Sequence, residues 1–310
     1  MTTNLSEIAT DMEFSPEEIQ HMLDNLDKFA PEELQEIDKI VEELSTRNAN
    51  QAARDDLIEF CKRMQPDYKV GRHHRILADQ LMAIEQGGKD RICVNIPPRH
   101  GKSQLVSIFY PAWFLGRNPG KKVMMVSHTT DLAVDFGRKV RNLIGVEDYK
   151  EIFPDVSLAV DSKSAGRWNT NFGGEYFACG IGSALAGRGA DLLLVDDPHS
   201  EQDVINGNFS VFDKAYEWFT FGARTRLMPG GRVAIVQTRW HMDDLTGRVT
   251  NDMVKNELAD QYEIIEFPAL LDADDGTKKP LWPEFFDLPA LERTKASMPA
   301  FQWNAQYQQQ

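Results

Sequence analysis

The sequence predicts an α/β protein in which a mainly parallel sheet is flanked by helices, with a helical arm at the N-terminus. From about residue 56, short β-branched or apolar runs alternate with stretches of helical spacing. Most of these runs are nearly continuous in apolar residues, which is typical of strands that helices cover on both faces. The first 55 residues instead combine helical spacing with many acids. We therefore expect an acidic helical arm over 1–55, a core domain over 56–270, and a linker or lid segment over 271–310.

The arm is predicted to contain two helices. Ser15, followed by Pro16 and two glutamates, has the pattern of an N-cap and a first helical turn. Pro31 opens a second helix with apolar residues on one face and acids on the other. Residues 1–60 hold 16 acids and 4 bases, so they carry −12 of the net charge of −14. The arm is either a solvated hairpin packed on its own protein or a surface that docks on a partner or a neighbouring subunit.

Five runs are the candidate strands of the core domain. They are Arg91–Ile96, Lys122–Ser127, Leu192–Asp196, Arg232–Gln237 and Glu263–Phe267. The polar, turn-rich stretch Asp272–Pro280 predicts a linker, and helical spacing returns from Leu288.

The composition excludes several classes of protein. With 42% apolar and 26% charged residues among 310, the chain is expected to be globular rather than disordered or collagen-like. No apolar run approaches the roughly 18 residues of a membrane span, and the N-terminal segment has acids where a signal peptide has bases. Three widely spaced cysteines suggest neither disulfides nor a zinc site. We expect a protein of a reducing cytoplasm. Residues 61–310 carry a net charge of only −2, which neither implies nor excludes nucleic-acid binding.

The first predicted strand runs into Pro97-Pro98-Arg99-His100-Gly101-Lys102-Ser103, and an apolar helical segment follows. A phosphate-binding P-loop has this order: a strand, a glycine-containing loop, Gly-Lys-Ser and then a helix. The N–H groups at the helix start hold phosphate oxygens, the lysine reaches the β and γ phosphates, and the serine hydroxyl binds Mg²⁺. The match is incomplete, because Ile96 stands where the first glycine of the motif belongs and the two prolines lack N–H groups.

A second acidic motif strengthens this interpretation. Leu192–Pro198 is a buried strand that ends in two aspartates, which is the form of a Walker B element. There Asp196 would hold Mg²⁺, and Asp197 would orient or deprotonate the water that attacks the γ-phosphate. The alternative, a plain turn after a core strand, is less compatible with the Gly-Lys-Ser loop. The two motifs together predict ATP hydrolysis.

At this point the sequence resembles the ATPase domain of the large terminase subunit, the motor that packages DNA into the procapsids of tailed bacteriophages. Four segments carry the resemblance, which covers roughly residues 60–310: Ile96–Ser103, Gly187–Pro198, Val236–His241 and Phe301–Gln309. It implies a P-loop NTPase fold of the ASCE/RecA-like type. It also implies ATP and Mg²⁺ as cofactors, double-stranded DNA, the procapsid portal and a small terminase subunit as partners, a homo-oligomeric ring, and the cytoplasm of the infected bacterial host.

The resemblance assigns roles by position. The loop that would bind the nucleotide consists of Pro98, Arg99, His100, Gly101, Lys102, Ser103 and Gln104. Arg99 would lie beside the γ-phosphate, although the alternative for it is an ordinary surface charge. Arg188, in a glycine-flanked loop, would complete the transition state, in its own or a neighbouring subunit, or would instead be a loop cation or a DNA contact. Thr238 would sense the γ-phosphate and couple hydrolysis to movement, and His74 would contact the adenine. Asp197 departs from the glutamate common at its position.

Two other functions remain open from the sequence. A helicase-like remodeller of single-stranded nucleic acid shares both Walker elements, but it should show stacking aromatics and further motifs after residue 240, which the sequence lacks. A non-catalytic ATP-binding assembly protein would keep Lys102 and tolerate loss of Asp197. Large terminases generally carry a second, nuclease domain, and we expect no nuclease activity from these residues.

Overall fold

The computed structural model describes residues 29–162, 164–205 and 209–310. The helix predicted to begin at Ser15 lies outside these ranges. Within the described residues, three helices precede the sheet: α1 (Pro31–Asp55), α2 (Leu57–Met64) and α3 (Arg72–Gln86). The end of α1 packs on the core domain, because Ala53 is fully buried and its carbonyl accepts a hydrogen bond from Trp113 Nε1 at 3.1 Å. The last turns of the predicted arm therefore belong to the body of the protein.

The sheet contains all five predicted strands and two that the sequence did not reveal. Its strands are β1 (Arg91–Asn95), β2 (Lys122–Ser127), β3 (Arg167–Asn169), β4 (Glu175–Gly180), β5 (Ala190–Asp196), β6 (Leu227–Gln237) and β7 (Glu263–Glu266). Their order is β3-β4-β2-β5-β6-β1-β7, and every neighbouring pair is parallel except β3 with β4. Strand β6 lies between the loop-bearing β1 and the acidic β5, as in ASCE/RecA-like P-loop proteins. The predicted fold class is confirmed.

Helices connect the strands and cover both faces of the sheet. After β1, a π-helical segment, Gln104–Phe109, continues into α4 (Tyr110–Arg117). The next helices are α5 (Thr130–Ile144), α6 (Glu147–Ile152), α7 (Glu201–Ile205) and α8 (Ser210–Glu217). A second π-helical segment, Trp218–Ala223, and a 3₁₀ turn, Arg224–Arg226, lead into β6, and α9 (Leu245–Lys255) follows it.

The two faces of the sheet bury different residues of the same strands. In β5, Leu192 and Leu194 face a core shared with α3, α4 and α5, whereas Leu193 and Val195 face a second core shared with α9. All four side chains are completely buried. Each such side chain stabilises the fold by about 1.5–3 kcal/mol. This explains why the central strands are continuous apolar runs, and it fixes where each strand ends.

The C-terminal segment returns to the carboxyl edge of the sheet. It forms a hairpin of β8 (Leu270–Asp272) and β9 (Lys278–Pro280), then α10 (Leu288–Ala296) and α11 (Ala300–Gln308). The stretch predicted as a linker is therefore the turn and second strand of a hairpin. The backbone N–H of Ala269 donates to the carbonyl of Tyr307 at 2.6 Å, which ties α11 to the end of β7. Among residues 29–162, 164–205 and 209–310, no helix is both long and apolar enough to span a membrane.

Candidate functional site

Most of the predicted site residues converge at the carboxyl ends of three neighbouring strands. Asn95 pairs with Gln237, and Asp196 pairs with Val236, so β1, β6 and β5 end at nearly the same level. The P-loop follows β1, Asp197 follows β5, and Thr238 follows β6. Parallel strands place their carboxyl ends at one edge of the sheet, which is where α/β proteins form binding sites.

Lys102 is the centre of the polar contacts at this edge. Its ammonium nitrogen lies 2.8 Å from Asp197 Oδ2 and donates to Thr238 Oγ1 at 3.1 Å. The backbone N–H of Thr238 donates to Asp197 Oδ1 at 2.8 Å, so both oxygens of that carboxylate are engaged. Lys102 is only 7% exposed. Burial by itself lowers the pKa of a lysine, but Asp197 and Asp196 together raise the pKa of Lys102 above its ordinary value. The lysine is therefore a fixed cation.

Asp196 lies directly beneath this lysine and is 1% exposed. Its Oδ2 atom accepts a hydrogen bond from Ser107 Oγ at 2.6 Å, while Oδ1 has no hydrogen-bond partner in the described part of the chain. Burial, and then the charge of Asp197, raises the pKa of Asp196 to about 6, although the charge of Lys102 and the hydroxyls of Ser107 and Ser103 oppose this shift. A buried carboxylate oxygen without a partner, beside a serine hydroxyl, fits the oxygen ligands that Mg²⁺ prefers.

Two backbone conformations in the site are unusual. The φ angles of Arg99 and Asp197 are 63° and 44°, in the left-handed region that side chains with a Cβ rarely adopt. Such residues cluster at binding and catalytic sites, where surrounding contacts hold them against a cost of about 1–3 kcal/mol each. Arg99 is exposed at the cavity, and none of the described residues pairs with its guanidinium. It is free to bind an anion.

A cavity of about 570 Å³ lies above these residues, within the usual range for small-molecule sites. It is lined by Pro98, Arg99, Gly101, Lys102, Ser103, Gln104, Asp197, Glu201, Thr238, Trp240, Gln306 and Tyr307. Sequence reasoning did not single out Glu201, Trp240, Gln306 or Tyr307. The last three lie in motifs that carry the family resemblance, which was the available signal. Glu201 had no signal, because only the path of the chain after β5 brings it to the cavity.

Three predicted site residues lie elsewhere. His74 and His100 are completely buried behind the P-loop and do not line the cavity. Both ring nitrogens of His74 contact backbone atoms, Gly71 N at 2.9 Å and the His100 carbonyl oxygen at 3.0 Å. The structure thus gives His74 no path to an adenine in this cavity.

Arg188 lies at the opposite edge of the sheet. Its guanidinium is 3.5 Å from Glu175 Oε1 and packs over the ring of Phe177. The arginine precedes the first residue of β5, whereas Asp197 follows the last. With about 3.3 Å per residue, this strand separates the two by about 20 Å. Arg188 is too far away to act on a ligand in the cavity of its own chain.

The arrangement is suited to binding a polyphosphate. The cavity offers one buried cation, one unpaired arginine, the N-terminal end of a helical segment and the carboxylate of Asp197. The buried neighbour Asp196 adds a carboxylate oxygen that has no hydrogen-bond partner in the described chain. Positive groups would hold the phosphate charges, and a carboxylate within reach of the same space can orient or deprotonate water.

Comparisons with known proteins place the chain in a family. None of the curated proteins compared with it matches. Among solved structures, the large terminase of bacteriophage HK97 is similar with 14% identity and a TM-score of 0.48, over 77% of this chain and 50% of that one. The large terminase ATPase domain of Thermus phage P74-26 is similar with 18% identity and a TM-score of 0.44, over 74% of this chain and 91% of that one. This chain thus spans about half the length of the HK97 protein.

The family itself is identified by sequence. The family described as "Terminase large subunit, T4likevirus-type, N-terminal" matches residues 93–307, which is more than two thirds of the chain. The match extends from β1 to α11, so it includes the P-loop, both aspartates, Thr238 and the C-terminal wall of the cavity. The chain belongs to the T4-like-virus type of terminase large subunits and contains their N-terminal domain.

Proposed function

We propose that this chain is the ATPase motor domain of a viral large terminase, which couples ATP hydrolysis to the translocation of double-stranded DNA into a procapsid. One observation carries the proposal. In a chain of the terminase family, Lys102, Asp197 and Thr238 from three different strand ends contact one another in a single cavity. Such a network joins the phosphate-binding loop, a carboxylate and the end of a neighbouring strand, which are the parts that hydrolysis and its coupling to movement require.

The triphosphate of ATP would lie along residues 98–104, with its β and γ phosphates at Lys102 and Arg99. Ser103 and Asp196 would hold Mg²⁺, which neutralises charge on the phosphates when it is bound. On binding, Lys102 would exchange its contact with Asp197 for the phosphates. Asp197 would then be free to orient or deprotonate the attacking water.

Thr238 is proposed as the coupling residue. Its backbone N–H contacts Asp197, and its hydroxyl accepts from Lys102 and donates to the carbonyl of Ile96 at 3.2 Å. If hydrolysis changed the contacts of Lys102 or Asp197, Thr238 would transmit the change to the ends of both β1 and β6. Arg188 is proposed to act on the nucleotide of a neighbouring subunit, because it cannot reach its own cavity.

This role for Arg188 requires an assembly. We propose that the domain works as a homo-oligomeric ring at the procapsid portal in the cytoplasm of the infected bacterial host, acting on double-stranded DNA that a small terminase subunit recognises. The acidic arm is a candidate contact with one of these partners.

Steady-state ATPase rates test the proposal. The wild type, Asp197→Asn and the control Asp274→Asn, which alters an exposed loop carboxylate, are compared at several protein concentrations, with linear duplex DNA, with single-stranded DNA and without DNA. We expect a rate per subunit that rises with protein concentration, a preference for duplex DNA, and a loss of about 10²–10⁴-fold in Asp197→Asn alone. Equal slow hydrolysis by wild type and Asp197→Asn would refute the catalytic role and favour an ATP-binding assembly protein. A preference for single strands would favour a helicase-like remodeller.

A further inference from the structure

Three histidines form a buried cluster behind the P-loop. His73 and His74 begin α3, and His100 lies within the loop; all three are 0% exposed. The rings of His73 and His74 are 4.0 Å apart, and the His73 and His100 rings 6.1 Å. The described part of the chain contains no group of three His, Cys, Asp or Glu side chains arranged to hold a metal ion. The cluster therefore needs another explanation.

The hydrogen bonds determine which nitrogen of each ring carries the proton. The backbone N–H of Gly71 donates to His74 Nδ1 at 2.9 Å, so that atom is an acceptor and the proton of His74 is on Nε2. His74 Nε2 and His73 Nε2 each lie 3.0 Å from the carbonyl oxygen of His100. Because a carbonyl oxygen only accepts, both imidazoles donate to it. In His100, Nδ1 lies 2.8 Å from the carbonyl oxygen of Pro98 and is likewise the donor.

Burial keeps these rings neutral. It lowers the pKa of His74 to about 3 and that of His100 to about 4, and it lowers the pKa of His73 as well. Trp282 packs edge-on against His73 and His74, at 5.4 and 4.8 Å between ring centroids, and Phe286 stacks on His100 at 4.9 Å. These aromatic rings exclude water that would compete for the carbonyl of His100, so both imidazole donors bind in a medium of low polarity.

The consequence for the loop follows from peptide geometry. The described chain contains no cis peptide bond, so the carbonyl of His100 and the N–H of Gly101 point in opposite directions. Since the carbonyl points at the imidazoles, the N–H of Gly101 points away from α3, and Gly101 itself lines the cavity. Gly101 has a φ of 78°, which lets the chain turn between the buried carbonyl and the helical segment after it.

We infer that His73 and His74 are positioning residues that clamp the His100 carbonyl from behind and thereby aim the Gly101 N–H at a phosphate oxygen. This inference rests on the proposed function, because it specifies how that function's nucleotide site is held in shape. It also explains how a P-loop with Ile96 in place of its first glycine, and with two prolines, keeps a fixed conformation. Two imidazole donors satisfy both lone pairs of one loop carbonyl.

Paired amide substitutions test the clamp. Glutamine places an amide N–H close to the position of histidine Nε2, whereas asparagine is too short to reach it. We therefore compare His73→Gln with His73→Asn, two variants of equal polarity. His73 makes no polar contact other than that with the His100 carbonyl within the described chain, so the pair isolates this one bond. The same pair at His74 separates its two bonds, because asparagine can keep the Gly71 contact and glutamine the His100 contact.

The first readout is amide hydrogen exchange of the peptide that covers residues 97–104, measured without nucleotide. We expect faster exchange of this peptide in His73→Asn and near-wild-type exchange in His73→Gln, with the rest of the protein unchanged in both. Tyr149→Phe is the matched control, because it removes one buried donor to a backbone carbonyl, that of Ala112 at 2.9 Å, away from the loop. Unchanged exchange of the loop in His73→Asn would overturn the inference, whether or not the protein binds ATP.

The second readout is the affinity for a fluorescent ATP analogue with Mg²⁺. Loss of one such bond corresponds to a weakening of about three- to tenfold, and we expect this for His73→Asn but less than twofold for His73→Gln and Tyr149→Phe. If the wild type fails to bind the analogue, the proposed function fails, while the exchange experiment still decides on the clamp. If the wild type binds and His73→Asn binds equally well, the positioning role is wrong and the proposed function stands.

Discussion

Replacing Gly101 by alanine should destabilise the protein much more than the same replacement at Gly182. Both glycines have a left-handed backbone, with φ angles of 78° and 86°. They differ in their surroundings. A Cβ atom at Gly182 would meet no described atom within 4 Å, whereas one at Gly101 would lie 3.0 Å from His74 Cε1 and closer still to Nε2. The comparison therefore separates the cost of the backbone conformation from the cost of displacing His74.

The magnitudes follow from these two terms. A left-handed alanine costs about 1–2 kcal/mol, and this is the whole expected loss for Gly182→Ala. In Gly101→Ala the ring of His74 must also move. Overpacking of a buried site adds about 1–3 kcal/mol, and the two hydrogen bonds of His74 add about 1 kcal/mol each. We expect Gly101→Ala to lower the free energy of unfolding by about 3–5 kcal/mol more than Gly182→Ala does.

Equilibrium urea unfolding followed by tryptophan fluorescence measures both variants. A double-mutant cycle identifies the cause, because His74→Ala makes room for the added methyl group. The double variant His74→Ala/Gly101→Ala should be more stable than the sum of the single losses predicts, by about 2 kcal/mol or more. The reasoning is refuted if Gly101→Ala and Gly182→Ala lose equal stability, or if the cycle shows additivity. If Gly101→Ala alone is too unstable to fold, recovery of the folded state in His74→Ala/Gly101→Ala supports the same conclusion, and failure of the double variant to fold contradicts it.

Two further predictions concern pH and Thr238. Burial lowers the pKa of His74 to about 3, from about 6.5 in the unfolded chain. As the pH falls below 6.5, the imidazole of the unfolded chain is therefore protonated while that of the folded protein stays neutral. The contribution of His74 to stability is present above pH 6.5 and is lost as the pH falls. Between pH 7.5 and pH 5, the free energy of unfolding measured in urea should fall by about 2 kcal/mol more in the wild type than in His74→Gln. An equal fall in the two proteins would contradict a neutral, buried imidazole. Thr238→Val removes the hydroxyl that contacts Lys102 and the Ile96 carbonyl, so it should lower the free energy of unfolding by about 1–3 kcal/mol. Thr238→Ser should lower the free energy of unfolding by under about 1 kcal/mol, and a loss in Thr238→Ser as large as or larger than that in Thr238→Val would contradict a stabilising role for the hydroxyl.

The sequence predicted the sheet well where both faces are covered by helices. Residues 192–195 are apolar throughout, because each side of the strand meets a core, and so the strand and its class could be recognised. The short edge strand β3 and its neighbour β4 were not predicted. The apolar run of β4 is only four residues long, at 176–179 between a glutamate and a glycine, and so short a run was not distinguished from a loop.

The site was predicted in part. Lys102, Ser103 and the two aspartates stand in local motifs whose chemistry depends on neighbouring residues in the chain, and the structure brings them to one edge of the sheet. The roles of His74 and Arg188 depend instead on direction and distance. A sequence motif places His74 near the loop, but it does not determine whether the side chain faces the cavity or the back of the loop. Arg188 lies at the opposite edge of the sheet because the whole length of β5 separates it from Asp197.

The sequence alone thus determined the fold class, the P-loop, the two acidic residues after the Walker B strand and the family. These features can be recognised in short segments, because an apolar strand and a phosphate-binding loop each depend on only a few consecutive residues. Tertiary structure decided which side chains meet: Lys102 with Asp197 and Thr238, the C-terminal helix with the cavity, and three histidines with one carbonyl. Those contacts join residues about 30 to 200 positions apart, so they depend on strand order and helix packing, which no local pattern encodes.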